Sequence, residues 1–304
     1  VTLKRVLAAD TLLLGITFVW GTTFIIVQNV LDKLTPLTFN AWRFLIAAFF
    51  LAGWQFLAKR RERPAFRCSP RLIVSGSVLG TLLFIGYACQ TIGLLYTSAS
   101  NAAFITGLSV VLVPVLSSLF LSKVPSPPVI IGVVFAAIGL FFLTTRGQFT
   151  LNRGDLIVLI CAAAFACHII FTAKVTEQFD SLSLTIVQLT VVAFLSFASG
   201  LAADGKRIFA VPQLTAPDVL SVVLFMALFA TAFAFLLQTA LQKETPATHV
   251  GIIFIMEPVF AAWTSVLIQH ERLGGSELVG CTLILAGMLL AEWPARRRRK
   301  RAKS

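Results

Sequence analysis

Glu257 carries the sharpest chemistry in this chain, because it stands inside an apolar stretch and Pro258 follows it directly. The stretch 246–269 is long enough to cross a bilayer. Counting about 1.5 Å per residue from Thr245 puts Glu257 roughly 18 Å along it, close to the midplane. A charge at that depth costs at least about 2.5–3.5 kcal/mol on the insertion scale, so it needs a reason. Pro258 removes the backbone donor that would have bonded the carbonyl of Phe254. A carboxyl beside such an opened turn can bind a proton, a substrate ammonium or a cation. The plainer alternative is that it braces the kink, protonated or hydrogen-bonded.

Other polar residues fall in pattern with it. His249, Ile253 and Glu257 repeat at steps of four, and 148 residues earlier stand Asn101, Ile105 and Ser109 at the same steps. Each trio drifts by about 80° along one helix face. If both faces line one cavity, Ser109 and Glu257 meet near its centre while Asn101 and His249 lie towards opposite mouths; helix capping is the simpler role for the last two. His168 shares a face with Cys161, Ala164 and Thr172, as a packing residue or a ligand-binding one. Trp20, Tyr87, Gln90 and Gln238 could stack on or hydrogen-bond an amphipathic metabolite. Pro114 joins Pro258 as an expected helix kink. Arg43, seven residues after Pro36, is close enough to an interface to snorkel and orient its helix.

These side chains need elements to hold them, and composition says which. The 304 residues are 58% hydrophobic and 12% charged, with mean hydropathy +0.90, which excludes an ordinary water-soluble fold. Ten apolar stretches follow: 11–31, 36–58, 72–95, 99–121, 127–145, 155–176, 182–202, 218–241, 246–269 and 276–293. They use almost the whole sequence, so the expectation is an all-α polytopic membrane protein of ten transmembrane helices, with one transporter-sized domain over 1–304. The first stretch, about 21 residues with no clear cleavage site, is expected to be retained. Five scattered cysteines, with neither a CxxC pair nor regular spacing, argue against a disulfide framework or a zinc site. No metal and no cofactor are expected.

Charge sets direction. On one side of the ten stretches fall Lys4, Arg5, the loop basics from Lys59 to Arg71, Lys123, Lys174, Lys243 and the tail from Arg296 to Lys303, eighteen in all. The other side holds six: Lys33, Arg146, Arg153, Lys206, Arg207 and Arg272. The positive-inside rule then places both termini in the cytoplasm. The net charge of +12 is thereby explained without nucleic acid, and the basic tail 296–304 reads as a stop-transfer anchor.

The chain also resembles itself. At the offset of 148, Gln90-Thr91 falls on Gln238-Thr239, Thr97 on Thr245, Gly132 on Gly280 and Gly139 on Gly287; at 146, Asp155 falls beside the start of the first stretch. The halves are 1–150 and 151–296. Five helices being odd, the second half must enter the membrane inverted, an arrangement suited to alternating access. The glycines at helical spacing read as close packing.

Several segments resemble the EamA family of the drug/metabolite transporter superfamily: Trp20-Gly21-Thr22-Thr23-Phe24, Arg43, Tyr96-Thr97-Ser98-Ala99-Ser100-Asn101-Ala102-Ala103-Phe104, Glu257-Pro258-Val259 and His270-Glu271-Arg272-Leu273. The resemblance implies ten helices in two inverted repeats, spans 1, 3, 4, 6, 8 and 9 around a central cavity, and small-metabolite transport that is often export. Three positions depart from the pattern: Ser122-Lys123-Val124, Ala166 and Leu189. The expected function is a secondary carrier, exporting a small organic metabolite such as an amino acid across a bacterial-type inner membrane. The partners are then that small molecule and the lipid bilayer, with self-association into a homodimer left open. A passive channel or a non-transporting sensor is the alternative. A membrane enzyme is less in keeping with one central Glu and scattered His residues, and no phosphate-binding loop is visible to use ATP.

Overall fold

The structure, a computed structural model, describes residues 3–58, 69–97, 99–121, 126–145, 152–209, 211–245, 247–269 and 274–301. Among them every regular element is helical. In chain order these are α1 (Leu3–Val30), α2 (Pro36–Ala58), α3 (Pro70–Gly93), α4 (Ala99–Gly107), α5 (Ser109–Leu121), α6 (Pro127–Thr145), α7 (Arg153–Val175), α8 (Ser181–Asp204), α9 (Val211–Leu214), α10 (Pro217–Ala227), a π segment (Leu228–Phe233), α11 (Ala234–Leu241), α12 (Ala247–Phe254), α13 (Met256–Gln269) and α14 (Gly275–Arg301). A short 3-10 turn, Gly205–Phe209, precedes α9.

Local chemistry explains the starts. Proline stands first in α2, α3, α6 and α10, where its missing N–H is one that a helix leaves unpaired anyway. Ser69 accepts from Leu72 N ahead of α3, Asp180 from Ser183 N ahead of α8, and Asn152 with Asp155 forms a reciprocal capping box on α7. Two ends differ from the expectation. α1 begins at Leu3 rather than near residue 11, and α14 carries its helical backbone through the arginine run to Arg301.

Among the described residues seven helical stretches are long and apolar enough to cross a membrane: Leu7–Val30, Pro36–Leu57, Pro70–Gly93, Arg153–Val175, Ser181–Phe209, Pro217–Leu241 and Ala247–Thr264. Shorter apolar helices cover Ile105–Ser118, Pro127–Phe142 and Gly275–Gly287, in the positions of the other three expected spans. Large apolar side chains such as Phe49, Phe56, Phe194 and Leu289 stay exposed on the outside, which is where lipid replaces water as the solvent.

Glycines set the closest approaches. A Cβ on Gly139 would fall 2.7 Å from the carbonyl oxygen of Gly280, and one on Gly287 would fall 2.5 Å from that of Gly132. The lower number of α6 thus meets the higher of α14, so the two helices run antiparallel with backbones in contact. α7 packs on α3, α8 on α2 and α3, and α1 on α13. Polar joints recur at the offset of 148. Asn40 Nδ2 donates to Thr91 Oγ1 at 2.9 Å, and Gln188 Nε2 donates to Thr239 Oγ1 at 3.2 Å.

Candidate functional site

Among the described residues three spans are interrupted at mid-length; two of the interruptions border one cavity, and the third holds Arg43, which lines it. Between α12 and α13 the helix breaks at Ile255, next to the carbonyl of Phe254 that Pro258 leaves without its donor. Glu257 therefore sits in the first turn of a new helix. Between α4 and α5 the break is at Leu108. Pro114, the other expected kink, lies inside α5, where it leaves the carbonyl of Val110 without its donor; the interruption itself stands six residues earlier, beside Gly107. The third interruption is the π segment between α10 and α11.

That π segment positions the two most polar contacts of the site. A π turn shifts the backbone ladder by one residue and exposes a carbonyl. Here Ala230 O accepts from Trp20 Nε1 at 2.8 Å, and Thr231 Oγ1, itself donating to Met226 O, accepts from Arg43 Nε at 2.6 Å. Arg43 is consequently buried at 2% exposure, with its guanidinium 4.9 Å from the ring centre of Tyr87 and 5.3 Å from that of Phe44. The expected snorkelling is thus overturned: Thr231, the π carbonyl and aromatic faces draw the side chain inward. A guanidinium keeps its charge in any protein environment. Among the described residues no carboxylate pairs with it.

The cavity, about 780 Å³ counting its open mouth, is lined by Trp20, Thr23, Phe24, Val27, Arg43, Leu83, Tyr87, Gln90, Thr91, Leu94, Thr106, Gly107, Ser109, Phe165, His168, Ile169, Phe235, Gln238, Phe254 and Glu257. Of the residues singled out by sequence, it brings together Trp20, Tyr87, Gln90, Ser109, His168, Gln238 and Glu257. His249 lies on α12 outside this lining. Asn101 is in α4, and its side chain lies outside the described residues, as do Ser122-Lys123-Val124 and His270-Glu271-Arg272-Leu273.

The polar groups in the wall are unevenly satisfied. Gln90 Nε2 donates to Thr106 Oγ1 at 3.3 Å. His168 Nε2 is 3.0 Å from Gln188 Oε1; because the Gln188 amide nitrogen already donates to Thr239, this pairing makes the imidazole the donor. Gln238 Nε2 donates to Gln242 Oε1 at 3.3 Å, and Gln242 in turn to Ile169 O at 3.1 Å, yet Gln238 Oε1 is buried with no partner among the described residues. The half-buried Glu257 carboxyl has no hydrogen-bond partner among the described residues; its electrostatic neighbours are Tyr87 and Cys161. Aromatic edges close the rest: Trp20 meets Phe235 at 5.4 Å and Phe254 at 5.1 Å, and Tyr87 meets Phe165 at 5.1 Å. The site therefore offers one held cation, one carboxyl and one amide oxygen inside an apolar box, able to orient a small molecule carrying both an acceptor and a donor.

Sequence reasoning missed the role of Arg43, the π segment and Gln188. Asn40 and Gln188 did carry a signal: both are amides inside apolar stretches and stand 148 residues apart.

Known proteins agree with this architecture. The model of the EamA-like transporter family matches twice, over residues 7–145 and 152–293. A protein of Archaeoglobus fulgidus described as an uncharacterized transporter is 32% identical over 93% of this chain and 85% of its own. A Salmonella typhimurium protein described as a probable amino-acid metabolite efflux pump is 24% identical over 95% of this chain and 96% of its own. A solved crystal structure with 16% identity superposes at a TM-score of 0.75 over 95% of this chain and 98% of that one, which shows the fold. With the family model covering nearly its whole length and apolar helices throughout, this chain is an integral membrane protein and belongs to the EamA-like transporter family.

Proposed function

We propose that the protein is a secondary carrier that exports a small organic metabolite, an amino acid being the best-fitting class, by alternating access between two inverted five-helix halves. The observation that carries this reading is the cavity itself. It is walled by both halves, it lies where spans of both halves break, and it holds Arg43, Glu257 and the open Gln238 oxygen without mutual pairing. An α-carboxylate suits Arg43, and an α-ammonium suits Glu257 or Gln238. The name of the Salmonella relative supports the same class.

The supports for inversion are geometric. α6 and α14 correspond at the offset of 148 and pack antiparallel, as a twofold axis in the membrane plane would require. The two family-model matches support the division into halves. Ten spans follow if the three shorter apolar helices cross with the seven longer ones, and eighteen basic residues against six support cytoplasmic termini in a bacterial-type inner membrane.

Proteoliposome counterflow with a panel of radiolabelled amino acids tests the reading. Trans-stimulated uptake of at least one of them, lost or stripped of its pH dependence in a folded Glu257→Gln variant, is the expected result. Unsaturable flux would identify a channel, labelled product an enzyme, and absence of trans-stimulation across the panel would remove the amino-acid class.

A further inference from the structure

Two hydrogen bonds at opposite ends of the molecule are copies of one another. Thr97, on the turn between α3 and α4, donates to Asp155 Oδ1 of α7 at 2.6 Å. Thr245, on the turn between α11 and α12, donates to Asp10 Oδ1 of α1 at 2.9 Å. Thr97 and Thr245 stand 148 residues apart, and each aspartate follows a small residue, Gly154 or Ala9. Both bonds join a turn of one half to a helix of the other. Each therefore ties three spans together: α3, α4–α5 and α7 in one group, and α10–α11, α12–α13 and α1 in the other.

The packing inside these groups differs from the packing between them. Inside the first, a Cβ on Gly154 would fall 2.8 Å from both Gly93 O and Thr97 N, so α3 and α7 touch backbone to backbone. Inside the second, a Cβ on Gly21 would fall 2.5 Å from Glu257 O and 3.1 Å from Ala261 N. Between the groups, the atoms nearest a Cβ on Gly251 of α12 belong to the Val113 side chain on α5, at 3.5–3.6 Å, one side-chain hydrogen bond crosses from Gln242 to Ile169 O at 3.1 Å, and the rest of the shared boundary includes the cavity. Close-packed backbones move as units, whereas side-chain contacts beside a void can slide.

We propose that these two three-span groups are the rigid bodies of the transport cycle, and that Thr97–Asp155 and Thr245–Asp10 are the staples that hold each body together while the two rock about the cavity. This rests on the carrier reading and assigns the four residues a positioning role within it. Asp155 also caps α7 through Asn152, and Thr97 Oγ1 accepts from Asn152 Nδ2 at 3.3 Å, so the threonines are perturbed in place of the aspartates and Thr245 is the cleaner of the two.

Pulsed EPR on the full chain in lipid nanodiscs tests the proposal, with native cysteines replaced and spin labels at four exposed positions. Leu156 and Val115 lie in the first body, Leu7 and Trp263 in the second. The 156–263 pair reports the gap near the Thr97 end and the 7–115 pair the gap near the Thr245 end. Measured alone and with a mixture of protein amino acids, these between-body pairs should each show two distance populations, shifting in opposite senses. The within-body pairs, 156–115 and 7–263, should each keep one narrow population. Thr97→Val and Thr245→Val should broaden the corresponding within-body distance, and Thr97→Ser and Thr245→Ser should restore it, an outcome that loss of stability alone would not give. Within-body distances that split together with the others, single populations at all four pairs, or sharp within-body distances in both valine variants would each overturn the proposal. Counterflow on the same labelled protein separates the two levels. Opposed between-body shifts without counterflow sink the carrier reading alone, and counterflow with split within-body distances sinks the two-body inference alone.

Discussion

Replacing Arg43 by methionine should leave the fold nearly as stable while removing transport. The stabilising side of the ledger is one short hydrogen bond to Thr231, worth about 1.5–3 kcal/mol for a charged donor, and a stack over Tyr87 and Phe44 worth about 0.5–2 kcal/mol. The bond to Ala230 O is 3.4 Å long and adds little. Against these stands the desolvation of a buried cation, several kcal/mol. The two sides nearly cancel, and methionine fills a similar volume with apolar contacts. The substitution leaves one group to be satisfied anew, the Tyr87 hydroxyl, which is hydrogen-bonded to the guanidinium and borders the cavity. Ala230 O keeps its bond from Trp20, and Thr231 keeps its own donation to Met226 O. Arg43→Met should therefore change stability by no more than about 1 kcal/mol, read as a melting shift of roughly 4 °C or less. Thermal melting by size-exclusion recovery and proteoliposome counterflow should be measured on the same preparation. If Arg43 holds a substrate anion, counterflow falls at least tenfold, the equivalent of about 1.4 kcal/mol of lost differential interaction. Arg43→Lys, which keeps the charge but not the planar fork, should fall between. A variant that melts far below the parent, or one that melts normally and still exchanges substrate at the parental rate, would refute the argument.

The α6–α14 seam predicts a steric effect. Gly139→Val and Gly287→Val force a side chain into backbone atoms 2.5–2.8 Å away and should each destabilise by about 1–3 kcal/mol, whereas Gly53→Ala, with open space around it, should be neutral in the same melt; equal melting of all three would contradict the seam. For orientation, a tag after Ser304 and a cysteine replacing Ser69 should both be protected from impermeant reagents in intact cells, and labelling of either would overturn cytoplasmic termini.

Much of the molecule was legible in order of residues alone. Lipid-facing helices must carry apolar side chains along their length because hydrocarbon does not solvate polar ones, so composition announces a membrane protein and hydropathy marks its spans. Duplication leaves matching glycines, threonines and amides at one offset, and those matches fall at the close contacts and polar joints seen in the fold. Seven of the nine pathway positions chosen by type, among them Trp20, Tyr87 and Glu257, meet in one cavity, because a polar group in an apolar helix has few other places to point. Arg43 was not legible, since distance from a helix end cannot say whether a long side chain turns outwards to the interface or inwards to a carbonyl. That choice belongs to the π segment 190 or so residues away, which no local pattern announces. His249 likewise follows the four-residue rhythm of its stretch yet lies outside the cavity lining, on α12, which is a separate helix from the one that carries Glu257. Periodicity is a property of one continuous helix. Where helices break, and what a neighbouring backbone offers at the break, only the packed tertiary structure decides.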